Sequence, residues 1–164
     1  MKQIILPILA VAVFIVLVGF LTQGAQNGKF SLPNKAEKRT EITVGNIKIQ
    51  VEIAKTDVER REGLSKKESL GDEEGMLFVF PQMNIQPPFW MKDMSFPIDI
   101  IWIDDGKVVQ IDEDIPAPEA NAPDEELTLY TVNQPIDYVL EVKAGFVEKN
   151  NIEKGDSVEL SLVE

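Results

Sequence analysis

The sequence predicts an α+β, mostly β protein: a compact, largely antiparallel β-barrel-like domain with two short helices, preceded by an N-terminal transmembrane helix. Three observations carry that prediction. An uncharged apolar run of 18 residues opens the chain of 164. Beyond it, about eight short segments have the alternating or continuous apolar pattern of strands. The connections between them are mostly too brief for parallel crossovers, so the strands should pair antiparallel and close on themselves.

The apolar run, Ile4 to Leu21, follows Met1-Lys2-Gln3. As a helix it would span about 27 Å, close to the hydrocarbon thickness of a bilayer. Pro7 falls in its first turn, where a missing N–H costs little. The run is longer than the apolar core of a secretory signal, and Gln23-Gly24-Ala25 is a poor cleavage site. Residues 1–21 are therefore expected to be a retained single-pass anchor, and residues 22–40 a tether of Gln, Gly, Asn, Ser, Pro and Lys. A flexible segment of that length reaches about 24 Å. Lys2 favours an inside N-terminus, whereas Lys29, Lys35, Lys38 and Arg39 count against export of the domain beyond them.

Residues 41–164 form the expected folded domain. Glu41–Val44 and Ile47–Ile53 make a hairpin through Gly45-Asn46. Thr56-Asp57-Val58-Glu59 is a capping box, opening a short helix that stops near Gly63. Gly75 to Phe80 is a continuous apolar run ended by Pro81, which fits a fully buried strand. Phe89-Trp90-Met91-Lys92 is assigned as a further strand. Ile98 to Asp104 is a strong strand, turning at Asp105-Gly106 into Lys107–Glu113. Pro116 to Glu126, with three prolines and four acids, is a surface loop. Tyr138–Val142 is a strand, Ala144 to about Asn150 a helical turn, and Ser157–Leu162 a last strand.

Composition excludes several functions. The chain has no cysteine and no histidine, which removes disulfides, thiolate nucleophiles, Cys/His metal sites and every triad that needs an imidazole. No phosphate-binding glycine loop or dinucleotide fingerprint is present. The acidic runs at Asp112–Asp114 and Asp124–Glu126 lack EF-hand spacing, so no metal and no cofactor are expected. Residues 41–164 carry a net charge of −16, which repels nucleic acid.

What remains is a polar-aromatic cluster, Phe89-Trp90-Met91-Lys92-Asp93 followed by Pro97-Ile98-Asp99, with Arg60 and Glu141 as natural partners for charges wrapped in apolar sequence. Arg60, Trp90, Lys92, Asp99 and Glu141 are the candidate ligand-binding residues. One reading makes them an ion-pair network that fixes the barrel; another makes them a shallow pocket floored by Trp90. A third has Asp99 and Glu141 acting as a carboxylate pair on envelope glycans, which requires split pKa values. No residue is assigned a catalytic role.

Several segments together resemble the DUF192 (UPF0127) family of small domains without established activity: Glu59-Arg60 with Gly63-Leu64, Gly75 to Phe80, Phe89-Trp90-Met91-Lys92, Pro97-Ile98-Asp99-Ile100-Ile101, Tyr138 to Val142 with Ala144-Gly145, and Gly155-Asp156 with Val158. The five candidate residues match that family's charged and aromatic positions, while Ser65 and Asp93 stand where Met and Asn are usual. The resemblance implies a compact β-barrel-like domain, often exported behind a signal or anchor. It therefore implies an extracytoplasmic domain on a single-pass membrane protein. The polar-aromatic cluster, with no nucleophile or imidazole beside it, points to a small ligand or an envelope protein as partner, a purely structural accessory subunit being the alternative.

Overall fold

The computed structural model describes residues 39–160. The expected anchor and most of the expected tether lie outside them. Among the described residues, no helix is long and apolar enough to cross a membrane.

The domain is mostly β, built on one seven-stranded sheet. Strand β1 (Arg39–Val44) begins two residues before the expected boundary and turns into β2 (Ile47–Ala54). Gly45 takes φ +59 in that turn, the left-handed region that a two-residue hairpin demands. Helix α1 (Asp57–Glu62) follows, then β3 (Glu74–Val79), β4 (Ile98–Asp104) and β5 (Lys107–Ile115). Asp105 and Gly106 both have positive φ, as a type I′ hairpin turn requires. A 3₁₀ turn (Asp124–Glu126), β6 (Tyr138–Lys143), helix α2 (Phe146–Asn150) and β7 (Val158–Glu159) complete the order.

The strands are arranged β5-β4-β6-β3-β2-β1-β7. Five of the six pairings are antiparallel; β2 and β3 run parallel because the 55–73 connection, carrying α1, is long enough to cross over. The sheet curls into a half-barrel whose two edges touch at one end. There Lys107 and Ser157 form an isolated bridge, and the Val108 and Val158 amides donate to the Asp156 and Gly106 carbonyls at 2.9 and 2.8 Å.

One expected strand is corrected. Phe89–Lys92 makes only an isolated bridge, Phe89 with Tyr130. Pro87 and Pro88 withhold donors on one side, and Asp93 at φ +58 turns the chain away on the other. The last strand is also shorter than expected within the described residues.

Both faces of the central strands are buried, which explains their unbroken apolar runs. The concave side gathers Ile42, Val51, Leu77, Ile101, Leu140 and their neighbours, closed by Phe146 and Val147 of α2. The opposite side gathers Ala54, Met76, Phe78, Ile100, Trp102 and Val139 beneath the 64–70, 85–96 and 130–136 segments. On that face Phe89 stands edge-on to Phe78 and to Trp102, with ring centroids 4.9 and 5.5 Å apart.

Candidate functional site

Arg60 is placed by the capping box. The Glu59 amide donates to Thr56 Oγ1 at 3.2 Å, and the Thr56 amide donates back to Glu59 Oε2 at 2.9 Å. The Arg60 guanidinium then reaches beneath the helix, donating through Nη1 to the Lys55 and Val79 carbonyls at 2.6 and 2.8 Å. Nη2 donates to Asp57, and the cation lies 5.6 Å from the Phe80 ring centre. Its hydrogen-bonding capacity goes into fastening α1 to the end of β3.

Asp99 lies inside the barrel, fully buried. Its Oδ1 accepts the Asp114 and Gly145 amides at 2.9 and 3.3 Å, and its Oδ2 accepts the Val147 amide at 3.0 Å. Gly145 precedes α2 without a side chain of its own to cap it, so Asp99 supplies the missing acceptor from a different strand. No cation is needed to explain this buried carboxylate.

Glu141 faces the other way. Its register partners Met76 and Ile100 belong to the outer cluster, whereas Val142, partner of Asp99, belongs to the concave one. Glu141 is 5% exposed, and its carboxyl makes no hydrogen bond or ion pair with any described residue. Burial alone pushes its carboxyl up to about 8, so it is largely protonated at neutral pH. Asp99 and Glu141 thus project from opposite faces of one wall. They cannot hold a glycoside between them, which corrects the expectation of a facing carboxylate pair.

Trp90 and Lys92 do meet. The Lys92 ammonium lies 5.6 Å from the Trp90 ring and pairs with Asp124 of the 3₁₀ turn. That hydrogen bond, ahead of every other influence, raises the Lys92 pKa. Trp90 remains 41% exposed, and the Phe89–Tyr130 bridge sets it opposite Leu129, itself 58% exposed. An open cavity of about 350 Å³ lies along the 116–130 segment, with Pro116, Asn121, Glu126, Thr128 and Tyr130 among its walls and Met91, the residue between Trp90 and Lys92, closing it.

The five candidate residues therefore occupy four places. Arg60 is fastened at Val79, four residues along β3 from Gly75, whose row contains Val142 and Asp99. That is about 13 Å at strand spacing. The 116–126 segment and Leu129 were hidden from sequence reasoning. The prolines and acids there predict a loop, and only the Phe89–Tyr130 pairing, distant in sequence, brings it against Met91, where it walls a cavity. Among the described residues no group of acidic side chains is arranged to hold a metal ion.

No curated protein matches this chain. Among solved structures, a protein of unknown function from Novosphingobium aromaticivorans shares 30% identity at a TM-score of 0.67, covering 77% of this chain and 89% of its own. One from Sinorhizobium meliloti, described as "a putative transcription regulator", shares 27% identity at a TM-score of 0.64, covering 75% and 94%. The family model DUF192, described as "Uncharacterized ACR", matches residues 40–160, the span that the half-barrel and its covering loops occupy. The chain belongs to the DUF192 family.

Proposed function

We propose that this domain is a binding or accessory module rather than an enzyme, engaging a small ligand or an envelope partner through the Trp90–Lys92 surface. The single observation behind this reading is the exposure of Trp90 while its neighbours Phe89 and Met91 are buried, Met91 forming one wall of the adjoining cavity. An indole presented under an ordered ammonium offers apolar area with one charged handle, a combination that recurs at recognition surfaces. The separation of Asp99 from Glu141 supports binding over hydrolysis. The N-terminal apolar run supports a single-pass membrane tether; the extracytoplasmic side rests on the family, whose members are often exported, against the basic residues that follow the run.

The description of the Sinorhizobium neighbour is not carried over to this chain as nucleic-acid binding. The acidic charge of residues 41–164 weighs against contact with phosphates.

Two experiments test the proposal. Full-length protein in detergent micelles is titrated by calorimetry with envelope sugars, short peptides and divalent ions, a readout that does not depend on the Trp90 indole. Binding that Trp90→Ala abolishes, with the melting temperature unchanged, supports the site; indifference to Trp90→Ala removes it. A reporter active only outside the membrane, fused after Glu164, should be active, and silence would overturn the assigned side.

A further inference from the structure

The Glu141 carboxyl lies where the sheet itself cannot give way. Strand β6 is bonded on both sides, to β3 and to β4, so its centre is locked. Met76 and Ile100 flank Glu141 in register, and Val139 and Lys143 follow on the same face of its own strand. A carboxyl so placed cannot swing out to a sheet edge. Water has to come to it, through whatever covers the outer face. Its 5% residual exposure marks a thin place in that cover.

The cover is lightly tied. The 85–96 and 130–136 segments hold each other through two isolated bridges, Ile85 with Ile136 and Phe89 with Tyr130, whose four main-chain bonds measure 2.8–3.1 Å. Neither segment adds a strand to the sheet. They share a root: the Asn84 amide donates to Asp137 Oδ1 at 3.4 Å, and the Asp137 amide donates to the Ile103 carbonyl at 2.9 Å. Gln110 links the second segment to β5, donating to the Thr131 carbonyl at 3.0 Å and accepting the Asn133 amide at 3.4 Å. Ser95 Oγ donates to the Lys67 carbonyl at 3.2 Å. Beyond these ties the segments rest on the sheet by apolar packing, with Phe89 against Phe78 and Trp102 at its centre. Such packing accepts a neutral carboxyl beneath it but not a bare charge.

No neighbouring group relieves that charge. On β6 the Lys143 ammonium is drawn away to Asp72 at 2.7 Å, and on β3 Glu74 pairs with Arg39. Glu52 of β2, beyond Met76, pairs with Arg39 and Lys67. Asp112 of β5, beyond Ile100, accepts the Trp102 indole N–H. On β4 the residues sharing the outer face are Ile98, Ile100 and Trp102, all apolar or aromatic. Among the covering segments Lys66 pairs with Glu62 and Lys92 with Asp124, Glu68 and Asp93 are exposed, and 130–136 contains no charged residue. Burial alone therefore governs the Glu141 proton.

We propose that the 85–96 and 130–136 segments form a proton-controlled lid, which lifts as one unit when Glu141 ionises and admits water to the outer face while the sheet stays folded. The proton passes to solvent, and hydration of the carboxylate replaces the apolar contacts that are lost. Shared bridges and a shared root make the two segments move together, while the ladders of β3, β6 and β4 stay closed. Trp90 and Lys92 ride on the lid, but its opening does not depend on what they bind.

Trp102 reports the opening. It is fully buried against Phe89, and the chain has two tryptophans, so Trp90→Phe leaves it as the single emitter. In full-length protein carrying Trp90→Phe in detergent micelles, acrylamide should quench Trp102 about threefold or more faster at about pH 9 than at about pH 6.5. The midpoint should lie at about 8, and far-ultraviolet circular dichroism should stay constant throughout. Hydrogen exchange at about pH 9 should find the Ile85, Phe89, Tyr130 and Ile136 amides unprotected and those of β3 and β6 still protected. Glu141→Gln, which cannot ionise, should abolish the transition in both readouts; if that variant does not fold, exchange in the unaltered protein decides. A Trp102 that stays shielded, lid amides that stay protected, the same transition in Glu141→Gln, or circular dichroism lost in step with quenching would each overturn the proposal.

Discussion

Asp99 and Glu141 sit one register step apart on adjacent strands, yet their carboxyl groups point into different interiors. Asp99 pairs in register with Val142 and shares the concave side with it, while Glu141 lies between Met76 and Ile100 on the outer side. The two acids meet opposite solutions to the same problem. One is satisfied by three amide donors; the other has no donor and holds its proton. Each predicts a different experimental signature.

Because the Glu141 carboxyl is pushed up to about 8 in the folded domain, against an ordinary value of 4.5, folding takes up a proton between those limits. The unfolded chain binds fewer protons there, so stability must fall as pH rises from about 4.5 to about 8 and then level off. The full span corresponds to about 5 kcal/mol. Glu141→Gln keeps the shape and removes the titration. Denaturant unfolding of both proteins between about pH 5 and pH 9 should give curves that diverge with pH, the variant gaining relative stability toward the alkaline end. A constant offset between them would show that Glu141 is ionised in the fold.

For Asp99, replacement by Asn retains one acceptor oxygen but turns an N–H₂ toward either the Val147 amide or the Asp114 and Gly145 amides. A buried donor then faces a buried donor. Asp99→Asn should cost about 2–4 kcal/mol, most of it in local loosening of α2. Hydrogen exchange should accelerate first at Val147 and Gly145. Unchanged exchange at those amides would refute the capping role.

Arg60 allows a sharper dissection. Its contact with Asp57 involves a carboxylate that is 88% exposed, and its bond to the Lys55 carbonyl is exposed too, whereas its bond to the Val79 carbonyl is part-buried. Exposed ion pairs contribute little. Asp57→Ala should therefore cost under about 0.5 kcal/mol, while Arg60→Ala should cost about 1–3 kcal/mol because two carbonyls lose a charged donor. Thermal melts of the two variants separate these cases. Equal losses would mean that the ion pair, not the carbonyl clamp, holds the helix.

Local rules made much of the architecture readable. The Thr56–Glu59 box, the Asp105-Gly106 turn and the Ile98–Asp104 strand all follow from short-range chemistry, and all three stand where sequence placed them. The parallel β2–β3 pair did not follow, because the 55–73 connection looks like a helix and a loop rather than a crossover. The candidate site was less legible still. Charged residues in apolar surroundings signal that partners exist, but not whether those partners are side chains or main-chain amides. Asp99 illustrates this: all three donors come from segments at least 15 residues away in the chain. Facing was equally hidden, since the apolar residues on both sides of Glu141 are equally buried in a sheet covered on both faces.

Gly75 offers a final check on that two-sided packing. A Cβ placed there would come within 2.8 Å of the Glu141 carbonyl oxygen, with Leu140 Cδ1 and Val142 Cγ1 at 3.1 and 3.2 Å. The first of these is main chain of the paired strand β6, which cannot yield without shifting the ladder between β3 and β6. Gly75→Ala should therefore destabilise by about 3 kcal/mol or more through overpacking. Gly145 is the control. It has φ +79, and an added methyl group would find nothing within 4 Å, so Gly145→Ala meets only backbone strain, about 1–2 kcal/mol. Unfolding in denaturant should rank Gly75→Ala as the more damaging change, with faster exchange at Leu77 and Leu140. A reversed ranking would mean that β3 and β6 can separate to admit a methyl group, and that the close approach beside Glu141 is not what holds its carboxyl in the apolar layer.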